Sequence, residues 1–211
     1  EVAGLQQREE HRLVRLRAEA MQSAVPEGVG AMAAVLGLDD DAVRAVCAEA
    51  AAGEVLEAVN FNAPGQVVIA GNKAAVERGC ALAKEKGAKR ALPLPVSVPS
   101  HCALMRPAAE KLRIAMRDIA IQAPAIPVIH NADVATHATP DAIREALASQ
   151  LFSPVRWVES MRLMAARGVT RIAECGPGKV LAGLNKRILD DLPTVALVDS
   201  AALLEMRNAT A

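Results

Sequence analysis

His101 is the residue whose type and position most favour a chemical role. It follows residues 93–100 (PLPVSVPS), a proline-rich stretch that predicts extended backbone, and it precedes a helical pattern. A histidine at the end of a strand can be oriented by backbone carbonyls, and its ordinary pKa of about 6.5 suits a general base. His101 is therefore a candidate catalytic base, although a lone histidine in such a position is more often a capping or packing residue.

Arg17 lies close to the apolar stripe of the first predicted helix, among Leu13, Leu16 and Met21. A guanidinium in that position needs a partner. Its planar fork of donors matches a carboxylate, so Arg17 could hold a substrate acid group in a partly desolvated pocket. A structural salt bridge is the alternative.

Residues 174–181 (ECGPGKVL) join a predicted strand to a predicted helix. Gly176 and Gly178 would let the backbone approach another segment closely, although their spacing is not that of a phosphate-binding loop. A G-x-S-x-G nucleophile elbow is absent from the sequence, and Ser97, Ser100 and Ser153 lie near prolines instead. The sequence therefore offers a candidate base without an evident serine nucleophile.

The elements that would carry these residues fall into two groups. In residues 30–96 we predict a strand over 30–38, a helix capped by Asp39–41 and ending near 51, a hairpin of strands 55–61 and 67–70, a helix over 73–86 and an extended segment over 90–96. The prolines at 93 and 95 confine that last segment to a sheet edge or a strand end. The order βαββαβ is typical of a ferredoxin-like split βαβ unit, the size of an inserted subdomain.

Around that unit the pattern is mainly helical. An amphipathic helix is predicted over residues 1–22. After residue 97 longer helices, the first over 104–119, alternate with short strands near 128, 171–174 and 195–198. Such alternation predicts a parallel sheet covered by helices, with about three strands visible in this chain. We therefore predict an α/β protein with a large domain from residues 1–24 and 97–211 and a small subdomain from residues 25–96.

Composition excludes several classes of protein. The 24 basic and 24 acidic residues balance, and one Trp, two Phe and no Tyr give little stacking surface, so nucleic acid is a poor candidate partner. No apolar run is long enough to span a membrane, which takes about 20 residues. The four cysteines are scattered, which predicts reduced thiols in a cytoplasmic protein and no structural metal.

The sequence resembles the malonyl-CoA:acyl carrier protein transacylases of fatty-acid synthesis across nearly its whole length. The matching blocks are residues 17–21 (RAEAM), 24–34 (AVPEGVGAMAA), 59–71 (VNFNAPGQVVIAG), 92–101 (LPLPVSVPSH), 150–151 (QL) and 176–181 (GPGKVL). The Pro-Ser-His and Asn-Phe-Asn-x-Pro-Gly-Gln blocks are the specific ones. The resemblance implies an α/β-hydrolase-like large domain, with an incomplete parallel sheet here, and an inserted ferredoxin-like subdomain.

The resemblance also implies roles for individual residues. His101 matches the family's general base, and Gln150 matches the residue whose main-chain carbonyl orients that base, its side chain being incidental. Arg17 matches the clamp of the malonyl carboxylate. Ser100 beside the histidine fits a malonyl-type pocket, and Asn62, with Asn60, either lines the cleft between the subdomains or belongs to a turn. The implied partners are malonyl-CoA and phosphopantetheinylated acyl carrier protein, with no cofactor.

One departure from the family is severe. The family places its nucleophile, in a Gly-His-Ser-x-Gly elbow, before the helix with which this sequence starts. We therefore expect the chain alone to be inactive, and we expect its truncated sheet to expose apolar faces and favour aggregation. The alternatives are an acyltransferase module of a polyketide or fatty-acid synthase, and a nonenzymatic remnant that binds acyl-CoA or a carrier protein.

Overall fold

The computed structural model describes residues 2–96 and 98–208, and it describes side chains within those ranges from residue 11 onward. The α-helices of this part, numbered α1 to α8, are Val2–Ala24, Asp40–Ala51, Lys73–Glu85, Arg106–Ala115, Pro140–Ser149, Trp157–Ala166, Val180–Ile188 and Ser200–Asn208. The β-strands, numbered β1 to β8, are Gly30–Leu36, Leu56–Ala63, Gln66–Asn72, Arg90–Pro93, Ile129–His130, Ala135–Thr136, Ile172–Glu174 and Thr194–Ala196. The predictions for Glu1 and Ser97 lie outside the described residues. The protein is of the α/β class.

Strands β1 to β4 form one antiparallel sheet in the order β2-β3-β1-β4. The predicted element order of residues 30–96 is confirmed, as is the predicted hairpin of β2 and β3, which turns at Pro64 and Gly65. Strand β4 lies at the sheet edge, where Pro93 pairs with Ala33. An edge position is the one that the prolines predicted, because proline has no N–H to donate to a second neighbour.

Helices α2 and α3 cover one face of this sheet. Val43 and Val46 of α2, three residues apart, are both buried against the sheet, where Ile69 of β3 is fully enclosed. Asp39 caps α2, because its carboxylate accepts a hydrogen bond of 2.7 Å from the backbone N–H of Ala42. Apolar periodicity and a local cap therefore account for this region.

The helix predicted over residues 104–119 is shorter in the structure. A 3₁₀ turn, Ala103–Met105, comes first, and α4 then runs over Arg106–Ala115. Pro107 lies in the first turn of α4, the one part of a helix where a missing N–H and a fixed φ do no harm. The proline therefore sets the start of the helix.

The strand predicted near residue 128 does not belong to a parallel sheet. It is β5, which pairs antiparallel with β6 in a hairpin of two residues a side. The hairpin was missed because its turn contains Val134 with φ +59°, a conformation that valine rarely adopts, supported by the Asp133 carboxylate bound to the N–H of Ala135. The parallel sheet of the described residues therefore has two strands, β7 and β8, rather than three.

Strand β2 connects the four-stranded sheet to the rest of the molecule. The N–H of Phe61 donates to the carbonyl of Val155 at 2.9 Å, and the N–H of Val155 donates to the carbonyl of Val59 at 2.8 Å. At the turn between β2 and β3, Arg187 of α7 donates to the Gln66 side chain and to the carbonyl of Pro64. Backbone and side-chain hydrogen bonds therefore join the two groups of elements along β2.

Large apolar side chains lie exposed around β7 and β8. Val180 on α7 is 72% exposed, Leu203 on α8 is 57% exposed, and Val198 after β8 is 49% exposed. Every residue of β7 and β8 is only partly buried. Within the described ranges, no helix is long and apolar enough to cross a membrane.

Candidate active site

The backbone of His101 is held in an unusual conformation. Its φ is +66°, in the left-handed region that non-glycine residues seldom occupy, and its N–H donates to the carbonyl of Leu151 at 3.0 Å. Helix α5 ends at Ser149, and the carbonyls that follow a helix end have no partner within the helix. One of these carbonyls therefore satisfies the His101 amide and holds the strained residue in place.

The imidazole of His101 is oriented by the preceding carbonyl of the same helix end. Nδ1 lies 2.8 Å from the main-chain oxygen of Gln150. A carbonyl only accepts, so Nδ1 carries the hydrogen in this contact, and Nε2 of the neutral ring keeps the lone pair that a base needs. The geometry matches the orientation that the sequence resemblance implies.

The pKa of His101 lies below its usual value. Burial is the largest cause, because it disfavours the charged ring, and the positive charge of Arg17 lowers the pKa further. Backbone hydrogen bonds at Gln150 and Ser153 oppose this lowering. The imidazole is therefore neutral near pH 7, the form in which it can accept a proton.

Arg17 projects from α1 toward the same helix end. Its Nη2 donates to Oε1 of Gln150 at 3.2 Å, and burial lowers the pKa of its half-buried guanidinium, which stays charged nonetheless. Among the described side chains, no carboxylate forms an ion pair with Arg17. No salt bridge to Arg17 is therefore present among the described side chains, where the guanidinium keeps a net charge for a further partner.

Gln150 contacts both candidate residues, His101 through its main-chain carbonyl and Arg17 through its side chain. Its carbonyl accepts from His101, its Oε1 accepts from Arg17, and its Nε2 donates to Oδ1 of Asn131 at 3.3 Å. Sequence reasoning missed Asn131, which follows β5 and lies 19 residues from Gln150. In the sequence, Asn131 is recognisable only as a residue type that is common in turns, and this does not predict a hydrogen bond to Gln150.

A close contact between β1 and the His101 loop sets the position of that loop. The ring of Pro99 is fully buried, and a Cβ at Gly30 would lie 2.4 Å from its Cγ. Only glycine leaves room for the ring at this point. The start of β1 therefore positions the segment that ends in His101.

Comparison with known proteins decides the family of this chain. The model of the acyl transferase domain matches residues 2–206. This chain belongs to the acyl transferase family. Its sequence is 58% identical over 192 residues to the malonyl CoA-acyl carrier protein transacylase of Escherichia coli strain K12, and the match covers 91% of this chain and 62% of that protein.

Solved structures of acyl transferases have the same backbone. The acyl-carrier-protein S-malonyltransferase of Burkholderia pseudomallei 1710b is 59% identical, with a TM-score of 0.91 over 93% of this chain and 64% of that one. A malonyl-transacylase solved in complex with a type II PKS acyl-carrier protein is 50% identical, with a TM-score of 0.92 over 94% and 64%. The chain therefore spans less than two thirds of the length of these relatives.

Two further residues that the acyl transferase resemblance singled out lie apart from the hydrogen bonds around Gln150. Ser100 is partly buried, and its N–H closes a turn onto the carbonyl of Val98 at 3.0 Å. Asn62 is partly buried at an irregularity in β2, where the pairing with β3 shifts. The hairpin turn lies beyond it, so the turn alternative for Asn62 is wrong.

The glycine-rich loop of residues 174–181 differs from its prediction. A Cβ at Gly176 or Gly178 would meet no described atom within 4 Å, so neither glycine permits a close approach within the described residues. Instead Glu174 caps α7, since its two carboxylate oxygens accept from the N–H groups of Leu181 and Ala182. The loop therefore begins a helix.

The four cysteines, all within the described residues, are unpaired thiols in the structure. Cys102, next to His101, is fully buried and donates to the carbonyl of Pro99 at 3.1 Å. Burial raises the pKa of Cys102 to about 12, as it does for Cys47, so both thiols are protonated at neutral pH. Among the described residues, no group of three His, Cys, Asp or Glu side chains is placed to hold a metal ion.

Proposed function

We propose that this chain carries the base and the substrate anchor of an enzyme that moves a malonyl group from malonyl-CoA to acyl carrier protein in fatty-acid synthesis. The observation that carries the proposal is the meeting of His101 and Arg17 at Gln150. A neutral imidazole near a guanidinium that has no carboxylate partner among the described side chains suits a substrate with both a reacting carbonyl and a carboxylate.

In the first half-reaction, His101 acts as the general base. Nε2 accepts the proton of the serine that the family resemblance implies, as the serine oxygen attacks the carbonyl carbon of the malonyl thioester. The C–S bond then breaks, and CoA leaves as a thiol with the proton that His101 returns. The malonyl group is now an ester of the serine.

In the second half-reaction, the thiol of the carrier protein's phosphopantetheine is the nucleophile. It gives its proton to Nε2 of His101 and attacks the malonyl ester, and the serine oxygen leaves and recovers that proton. Throughout both halves, Arg17 holds the malonyl carboxylate with parallel N–H donors. These steps use protein side chains alone, and we propose that no cofactor takes part.

Ser100 and Asn62 have proposed roles in selecting the substrate. Ser100 precedes the base directly, and we propose that it leaves room for a malonyl group rather than a larger acyl chain. Asn62 belongs to β2, the strand hydrogen-bonded to the segment around Val155, and we propose that it lines the cleft between the two groups of elements.

We propose that residues 25–96 form a ferredoxin-like subdomain inserted into an α/β-hydrolase-like domain of residues 1–24 and 97–211. The antiparallel order β2-β3-β1-β4 and the parallel pair β7–β8 support this division. We also propose that the enzyme works in the cytoplasm, because its unpaired thiols fit a reducing compartment.

A malonyl-transfer assay tests the proposed function. We define the extended chain as this chain joined at its N-terminus to a family segment with the Gly-His-Ser-x-Gly elbow. We expect the extended chain to transfer labelled malonyl groups to a carrier protein, and the 211-residue chain to transfer none. His101→Ala in the extended chain should lower kcat by about 10²–10⁴-fold, because the base is lost.

The matched control is His11→Ala in the extended chain, which should leave kcat unchanged because His11 is exposed.

Arg17→Ala should lower the preference for malonyl-CoA over acetyl-CoA by about 10–100-fold, because one hydrogen bond to a charged group is lost. Turnover by the short chain would contradict the account. Carrier binding without transfer by the extended chain would favour the nonenzymatic alternative.

A second candidate is delivery of malonyl groups to a polyketide carrier protein. The relative that was solved with a type II PKS acyl-carrier protein, 50% identical to this chain, favours testing it. The same assay with one fatty-acid and one polyketide carrier protein separates the two by their kcat/KM values. We expect the fatty-acid carrier protein to be the better acceptor.

A further inference from the structure

We infer that the side chain of Gln150, held by Asn131, is a positioning device that keeps Arg17 oriented and charged for the substrate carboxylate. The inference rests on the proposed function and extends it to two residues that act through Arg17. Gln150 accepts from Arg17 through its side chain and from His101 through its main-chain carbonyl, so the contact with Arg17 can be changed while the carbonyl still holds His101.

The direction of the Gln150 amide follows from its two neighbours. Arginine has no acceptor, so the group that faces Arg17 must be the oxygen, Oε1, at 3.2 Å. The nitrogen, Nε2, then points to Oδ1 of Asn131 at 3.3 Å. Asn131 is itself fixed, because its main-chain carbonyl accepts from the N–H of Arg156 at 2.9 Å. The three side chains therefore form a chain of hydrogen bonds with one consistent orientation.

The neutrality of Gln150 matters for binding. An amide oxygen fixes one N–H of the guanidinium and leaves its positive charge uncompensated among the described side chains. A glutamate at position 150 would have nearly the same shape but would pair with Arg17 and compete with the substrate carboxylate. An amide at this position therefore orients the anchor without occupying it.

The same residue connects the anchor to the base. His101 binds the carbonyl of Gln150, and Arg17 binds its side chain, although they lie 49 and 133 residues away in sequence. A shift of Gln150 would therefore move both groups together. Loss of its side chain alone should affect only Arg17, which makes the two roles separable by experiment.

The test compares malonyl-CoA and acetyl-CoA as donors for the extended chain. We expect Gln150→Glu to raise KM for malonyl-CoA by about tenfold or more, the value of one charge-assisted contact, with a smaller change in kcat. Gln150→Met and Asn131→Leu should raise the same KM severalfold. For all three variants, kcat/KM should fall more for malonyl-CoA than for acetyl-CoA, because acetyl-CoA has no carboxylate to hold.

The exposed Gln122, changed to Met, is the matched control and should leave both donors unaffected. Equal losses with both donors would overturn the inference, since they would mean that the substitution had disturbed His101. An unchanged malonyl-to-acetyl preference in Gln150→Glu would overturn it as well. If the unmutated extended chain transfers no malonyl groups, the proposed function itself fails. That result is distinct from both outcomes above, which concern the variants only.

Discussion

The four-stranded sheet β1–β4 and the loop of residues 98–102 lie in contact, yet different forces hold them. The sheet encloses apolar residues such as Ile69 and Val35, both fully buried, under two helices. The loop places His101 in a left-handed conformation through hydrogen bonds to the carbonyls of Leu151 and Gln150. One region is stabilised by many small contacts, and the other depends on a few directed ones.

Stability and site geometry are therefore separable in this molecule. Losing one methyl group from the sheet lowers the free energy of unfolding but leaves the remaining contacts to preserve the shape. Losing one carbonyl partner of His101 would release a strained residue, because few other contacts hold it. Substitutions in the sheet should therefore change mainly the free energy of unfolding, and substitutions at the loop should change mainly the geometry of His101.

The largest expected change in stability comes from Ile69→Ala at the centre of the sheet. Ile69 is fully buried, so truncation removes apolar contacts and leaves a cavity, at a cost of about 2–5 kcal/mol in the free energy of unfolding. Urea denaturation of the extended chain measures this loss, and the titration of His101 should not move. Leu203→Ala, at a side chain 57% exposed, is the control and should cost less than about 0.5 kcal/mol. A shift in the His101 titration in Ile69→Ala would contradict the separation.

A substitution where the sheet and the loop touch, at Gly30, should lower both the stability and kcat. Gly30→Ala would bring a Cβ to within 2.4 Å of the buried Pro99 ring, at a cost of about 1–3 kcal/mol. The displaced ring should move His101 and lower kcat by up to about 10²-fold. Gly183→Ala in α7 meets open space and should stabilise the chain by up to about 1 kcal/mol without changing kcat. An unchanged kcat in Gly30→Ala would show that this contact does not position the base.

The same contrast explains which features the sequence could predict. Elements of the sheet were predicted because they depend on local patterns: the short apolar runs of β1 to β3, the Pro64-Gly65 turn between β2 and β3, and the Asp39 cap. The β5–β6 hairpin was missed because it is two residues long and its turn uses a valine at positive φ. Local patterns carry too little information about elements of that length.

The site was predicted in part. His101 and Arg17 were recognisable by type and context, and the family resemblance supplied Gln150 as the carbonyl that faces His101. The contacts of the Gln150 side chain with Arg17 and Asn131 could not be predicted, because they join residues 133 and 19 positions apart by side-chain direction alone. The spacing of residues along the chain does not predict which distant side chains form hydrogen bonds.

The most direct test of the account is the protonation of the His101 ring, measured by ¹⁵N NMR of the extended chain across pH, with His101→Gln to assign the signal. We predict a neutral ring protonated at Nδ1 near pH 7 and a pKa below the usual value of about 6.5, because burial and Arg17 both disfavour the charged form. Arg17→Met should raise that pKa, since one positive charge is removed. A ring protonated at Nε2, or a pKa at or above the usual value, would contradict the claim that His101 is held as a neutral base.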